Sequence, residues 1–268
     1  METAEIRRRD ISGFALKMIA IITMAIDHIG AIIVENMAVQ KQTQALWTLD
    51  SWLRGIGRLA FPLFCFFIVE GFHYSHDRRK YALRLLIFAA ISEVPFDLAF
   101  NGGFFYKNYN NVMWTLLLGM LSIWALDTFF RKIREKFSGS PAMGLEILSI
   151  AAVTLVADLI EEFILNSDYG IGGVVAIMIM YLLGTHRLVG FALAVLWLGL
   201  MCGSTEWYAI VDLIPLYFYH GRQGRKMKYF PASPRGCAVP GGRPRWFPRW
   251  RPGSRSSGPP RHRCKGPG

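Results

Sequence analysis

Charge is what this chain has least of. Lys, Arg, Asp and Glu make up 18% of its 268 residues, against about 25% in an ordinary soluble domain. Apolar residues take up the difference, at 53%. Acids are scarcer than bases, 19 against 30, which leaves a formal net charge of +11. Cysteine is sparse as well. Cys65 and Cys202 stand in apolar runs, and Cys237 and Cys264 stand near the end. That spacing fits neither a metal site nor a disulfide framework. No second half repeats the first, and no pair of Gly/Pro-broken segments recurs, which argues against a transporter built from repeats. The first apolar block is too long for a signal-peptide core, and no small-residue cleavage site follows it.

The apolar residues come in blocks, which marks a polytopic membrane protein. The block that organises the chain is residues 14–34. Its length suits one helical crossing of a bilayer, which takes roughly 20 residues. Two ionisable residues, Asp27 and His28, nevertheless sit inside it. A charge at mid-membrane costs on the order of 3 kcal/mol on insertion scales, and crossing requires none. The pair therefore reads as part of a polar site within a helix bundle. The plainer alternative is a structural hydrogen bond between helices.

Further apolar segments follow at residues 56–73, 81–100, 112–130, 144–165, 171–183, 188–201 and 207–219. The sequence thus predicts an all-α, polytopic membrane helix bundle of about eight transmembrane helices. Residues 35–55 read as a polar loop whose Trp47 and Trp52 suit a membrane interface. Residues 1–13 form a short cytoplasmic segment, the bundle occupies 14–222, and 223–268 is a basic tail rich in Pro, Gly, Arg and Ser. No helix or strand period survives in that tail, so it reads as disordered. Its abrupt change of composition suggests a frameshifted end.

Lys and Arg concentrate in alternate connections. Residues 78–80, residues 131–136, Arg187 and the segment after His220 are basic, and the connections between them are neutral or acidic. Cytoplasmic loops carry the excess of cations, so the pattern puts both termini in the cytoplasm. It also assigns depth. Asp27, His28, Arg58, Glu93 and Asp97 fall at the outer level with Asn111, Asp158 and Asp168, while Glu70, Arg84 and Asp127 fall toward the inner face.

The candidate catalytic residues are accordingly His28, Asp27, Asp97, Glu93 and Arg58. A neutral imidazole is the usual base near neutral pH. Glu93 and Asp97, four apart, share a helix face. Either suits the role of orienting His28 better than Asp27 does, since sequence neighbours on a helix point apart. Arg58 can stabilise an oxyanion or anchor a carboxylate. Arg58, Asn111, Asp158 and Asp168 also fit a plainer role, as interfacial groups reaching for water. The basic group Arg78, Arg79, Lys80 and Arg84 is mostly explained by orientation, and could also hold an anionic cofactor.

Three stretches carry a family resemblance: residues 16–30 with Lys17, Thr23, Asp27, His28 and Gly30; residues 56–72 with Gly57, Arg58, Pro62 and Glu70; and residues 81–100 with Arg84, Glu93, Pro95 and Asp97. Asn111 followed by Thr115, and Asp168-Tyr169-Gly170, fit as well. Together they resemble the TraX family of conjugal-transfer proteins over about residues 12–230. The resemblance implies a multi-pass acetyltransferase of the bacterial inner membrane, with cytoplasmic acetyl-CoA as co-substrate and no metal. The family is named for the protein that acetylates the amino terminus of F-pilin, so the implied acceptor is a pilin-like amino terminus or a glycan. Partners are then the lipid bilayer and that acceptor, and no nucleic acid is expected. By position the resemblance carries over Asp27, His28, Arg58, Glu70, Arg84, Glu93 and Asp97, and the phosphates of acetyl-CoA would meet Arg78, Arg79, Lys80 and Arg84. Members usually continue after a Lys-Tyr-Phe-like stretch into another apolar helix, whereas here Lys228-Tyr229-Phe230 leads into the Pro/Gly/Arg tail. Two other classes compete: a proton-coupled transporter, which would use the same buried ionisable groups, and a non-catalytic assembly factor of a conjugation or secretion system.

Overall fold

The computed structural model describes residues 11–222 other than 101, 105, 107 and 108, and every regular element among them is helical. Helix α1, Gly13–Ile29, starts where Ser12 Oγ accepts the Ala15 N–H at 3.2 Å. It widens into a π turn, Gly30–Val34, and continues as α2, Glu35–Lys41. Gln42, at φ 49°, turns the chain back into α3, Gln44–Gly57. A break at Arg58 and Leu59 separates α3 from α4, Ala60–Tyr74. Asp77 caps α5, Arg78–Phe100, accepting the N–H groups of Arg79 and Lys80 at 3.1 and 3.2 Å. Asn111 caps α6, Val112–Lys136. Then come α7, Ser140–Ile160, a π turn at Glu161–Leu165, α8, Gly170–Leu182, a 3-10 turn at Gly184–His186 and α9, Arg187–Met201. A 3-10 run, Ser204–Asp212, and one short helix, α10, Leu213–Tyr217, close the described chain.

This corrects the expected count. Among the described residues five helical stretches are long and apolar enough to cross a membrane, not about eight: Gly13–Lys41, Gln44–Tyr74, Val112–Lys136, Ser140–Leu165 and Gly184–Met201. The physical reasons differ from segment to segment. Helix α5 has the length, but Arg84, Glu93 and Asp97 make its apolar stretch too charged. Helix α8 spans 13 residues, about 20 Å at 1.5 Å per residue, short of a hydrocarbon core of about 30 Å. The expected last span is broken into the 3-10 run and one helix of 5 residues. The expected loop at 35–55 is instead mostly helix, α2 and α3, and the second crossing begins there. The cytoplasmic placement of both termini and the disordered tail fall outside the described residues.

Helix α8, too short to cross, sits deep in the bundle. Val174, Ala176 and Ile177 of α8 are fully buried, and Met178, Met180 and Tyr181 nearly so. A helix apolar all round needs neighbours on every side, and α8 has α4, α6, α7 and α9 packed around it. Small residues let these backbones approach. A methyl at Gly173 would meet Thr115 Cγ2 at 2.6 Å and Phe61 Cζ at 2.7 Å. The outward faces of α5 and α7 carry Leu83, Phe88 and Ile91, and Ile147, Leu148 and Leu155, all exposed. That is the arrangement of a multi-pass membrane protein, with apolar side chains turned to lipid.

Candidate active site

Polar side chains gather at the two ends of the bundle. At one end, the late turns of α1 lie against α3. Asp27 Oδ2 accepts Arg54 Nη1 at 2.7 Å, and the fit is close enough that a methyl at Gly57 would collide with the Asp27 carboxylate. One residue on, His28 Nδ1 pairs with the Met24 carbonyl at 2.8 Å, and its ring meets Phe100 edge-on with centroids 5.9 Å apart.

The break between α3 and α4 turns Arg58 inward. Its Nη1 donates to Glu206 Oε1 at 2.9 Å and lies 3.4 Å from the Tyr169 hydroxyl, which donates to the same Glu206 oxygen at 3.2 Å. Tyr169 stacks on Phe61 with centroids 3.5 Å apart. Glu206 is 1% exposed, so the ion pair is removed from water on its acidic side. Arg58 Nε, Glu206 Oε2 and Asp27 Oδ1 are buried atoms with no protein partner among the described residues.

Two further expected residues tie α5 to α6. Glu93 accepts from Asn111 Nδ2 at 2.6 Å and from Trp114 Nε1. Asp97, buried, accepts the Tyr106 N–H at 2.9 Å. Neither bonds His28; the Met24 carbonyl takes that place. Next to this corner, Ser167 Oγ meets Glu161 at 2.9 Å and Thr115 Oγ1 at 2.6 Å.

The other end holds the expected cofactor-binding group. Arg78 is committed to Asp127 at 2.6 Å, while Arg79, Lys80 and Arg84 are exposed. Lys80 is within 3.5 Å of Asp77. The N–H groups of Lys80 and Arg79, with the Lys80 ammonium, hold the Asp77 carboxyl below the usual carboxylate range. Glu70 lies at this end too, bonded by the Tyr219 hydroxyl.

The structure therefore brings Asp27, His28 and Arg58 to one end, with Glu93 and Asp97 on the adjoining corner, and sets the four cations apart from them. Helix α5 links the two sets. Its last residue, Phe100, touches His28 and its first is Arg78, so roughly 30 Å of helix separates them. Sequence reasoning missed Arg54, Tyr169 and Glu206. Arg54 stood in an apparent loop and Glu206 in an apparent turn. For Glu206 the available signal was a lone acid facing an equally lone Arg58 across apolar surroundings. Among the described residues no three His, Cys, Asp or Glu side chains converge as a metal site would need.

Comparison with known proteins adds two matches. A family model described as "TraX protein" matches residues 12–232. The chain is also 30% identical over 243 residues to "Probable fimbrial assembly protein FimC, serogroup H1" of Dichelobacter nodosus, covering 82% of this chain and 88% of that protein. No solved structure matches significantly.

Proposed function

Since the chain belongs to the TraX family, we propose that it is a membrane acetyltransferase, moving the acetyl group of cytoplasmic acetyl-CoA to an amine or hydroxyl of a membrane or extracytoplasmic acceptor. The Dichelobacter relative's name, a probable fimbrial assembly protein, favours a pilin-like amino terminus over a glycan.

The observation that carries the chemistry is the 2.8 Å contact of His28 Nδ1 with the Met24 carbonyl. A carbonyl can only accept, so the bond to Met24 keeps the proton on Nδ1 and leaves the lone pair of the neutral ring on Nε2. Nε2 then takes the proton of the acceptor's N–H or O–H as that atom bonds to the acetyl carbonyl carbon. The carbon–sulfur bond breaks, its electron pair leaves with sulfur, and the imidazolium returns the proton to the thiolate. Asp27, paired with Arg54, holds α1 against α3 beside the ring. Arg58 Nε, without a protein partner among the described residues, is the donor available to the developing oxyanion. Glu93 and Asp97 act as positioning residues that hold the corner carrying Phe100 against the ring.

Exposed Arg79, Lys80 and Arg84 suit the phosphates of acetyl-CoA by charge and access. The distance along α5 then has a consequence. With its phosphates there, acetyl-CoA must thread its thioester roughly 30 Å, about one hydrocarbon thickness, toward His28. Membranes holding the protein, incubated with radiolabelled acetyl-CoA and either a pilin-like protein or a glycan, test the reading. Label appearing in an acceptor supports it. If neither acceptor takes up label from membranes in which the protein is shown to be folded, the reading fails.

A further inference from the structure

One residue on α6 engages two arginines. Asp127 Oδ2 accepts Arg78 Nη1 at 2.6 Å and lies 3.4 Å from Arg131 Nε, which donates to the Asp127 backbone carbonyl at 3.3 Å; Asp127 Oδ1 accepts the Tyr181 hydroxyl at 3.2 Å. The carboxylate and Arg78 are fixed from several sides. Arg78 lies over the Phe72 ring at 4.1 Å, and Tyr181 stacks on His73 with centroids 5.7 Å apart. Arg131 differs, with its side chain 64% exposed.

A single carboxylate cannot neutralise two guanidiniums. Each guanidinium has five N–H donors, and this pair spends few of them on Asp127. Exposed Arg79, Lys80 and Lys132 add charge nearby, whereas Arg134 is engaged with Glu146 at 2.6 Å. A basic connection serving membrane orientation alone gains nothing from a carboxylate that holds two of its arginines together. Two guanidiniums against one acidic residue, that of Arg131 mostly exposed, offer donors suited to the oxygens of a phosphate.

We propose that Asp127 positions Arg78 and Arg131 as a two-helix site for a phosphate group, with Arg131 making the outward contact. The site rests on the transferase reading only for who carries the phosphate: coenzyme A on that reading, an anionic lipid headgroup otherwise.

The test uses the full chain purified in a neutral detergent. It is titrated calorimetrically with coenzyme A and, separately, with mixed micelles of phosphatidylglycerol and phosphatidylcholine, phosphatidylcholine alone serving as blank. At least one ligand binds the unaltered protein, and Arg131→Gln weakens it by about tenfold or more. Arg131→Lys recovers part of the loss, and Arg134→Gln changes little. Asp127→Asn weakens the same ligand while Asp127→Glu retains it, a rescue that general destabilisation would not give. Binding of coenzyme A supports both the site and its donor role. Binding of phosphatidylglycerol alone supports the phosphate site and counts against the transferase reading. If neither ligand binds, or Arg131→Gln binds as tightly as the unaltered protein, the proposal is wrong; Arg131 is exposed enough that its loss should not disturb folding.

Discussion

Arg58 and Glu206, 148 residues apart in the chain, meet at 2.9 Å and share the Tyr169 hydroxyl. This contact joins the α3–α4 break to the 3-10 run after α9, and it sits beside the Asp27–Arg54 pair. Two ion pairs at one end of a membrane bundle are costly to bury unless their geometry is maintained. Their surroundings therefore decide how they respond to change.

Removing one partner of the first pair should hurt more than removing both. Arg58→Gln leaves Glu206 buried without its cation, at a cost of roughly 3 kcal/mol. The double variant Arg58→Gln with Glu206→Gln should cost less than the sum of the singles, with a coupling of about 1–3 kcal/mol. Thermal unfolding of the four proteins in detergent measures this cycle. Additive losses would mean the contact carries no energy of its own.

Gly57 is where α3 approaches the Asp27 carboxylate most closely. Gly57→Ala should force Asp27 away from Arg54 and cost about 1–3 kcal/mol, as overpacking of a tight contact does. Gly103→Ala, where an added methyl meets nothing within 4 Å, should stay within about 0.5 kcal/mol of the unaltered protein. Equal stability of both variants would show that the α1–α3 approach is slack.

Glu93 ties α5 to the start of α6 through Asn111 and Trp114. Glu93→Ala should speed amide hydrogen exchange at Asn111 and over the first turn of α6, with little change near Arg78 at the far end of α5. Unaltered exchange at Asn111 would remove Glu93 from its proposed positioning role.

What the sequence revealed and what it hid can be traced residue by residue. Asp27, Arg58, Glu93 and Asp97 stand out because each interrupts an apolar run, and reversing direction at each turn brings them to one end. Arg54 and Glu206 interrupt nothing. They lie in segments polar enough to pass for connections, so their pairing across 27 and 148 residues had no local signal. The helix count failed for a related reason. Hydropathy records that α8 avoids water, but Val174 and Ile177 avoid it by packing against protein rather than lipid. In the last expected span the same averaging concealed the 3-10 geometry of Ser204–Asp212. The bond from Met24 to His28 is local, four residues back along the helix. It passed unnoticed because a carboxylate was the expected partner.

His28, proposed as the base of an acetyl transfer, is the residue on which the mechanism turns. The most direct measurement is the initial rate of acetyl transfer from radiolabelled acetyl-CoA to the acceptor, compared between the unaltered protein and His28→Ala in the same membranes. His28→Ala should lose about 100- to 10,000-fold in rate, the usual contribution of a general base. Unfolding temperature and coenzyme A affinity should hold, since the proposed phosphate contacts lie at the other end of α5. Transfer by His28→Ala at an undiminished rate would make His28 a packing residue against Phe100 and would contradict the mechanism.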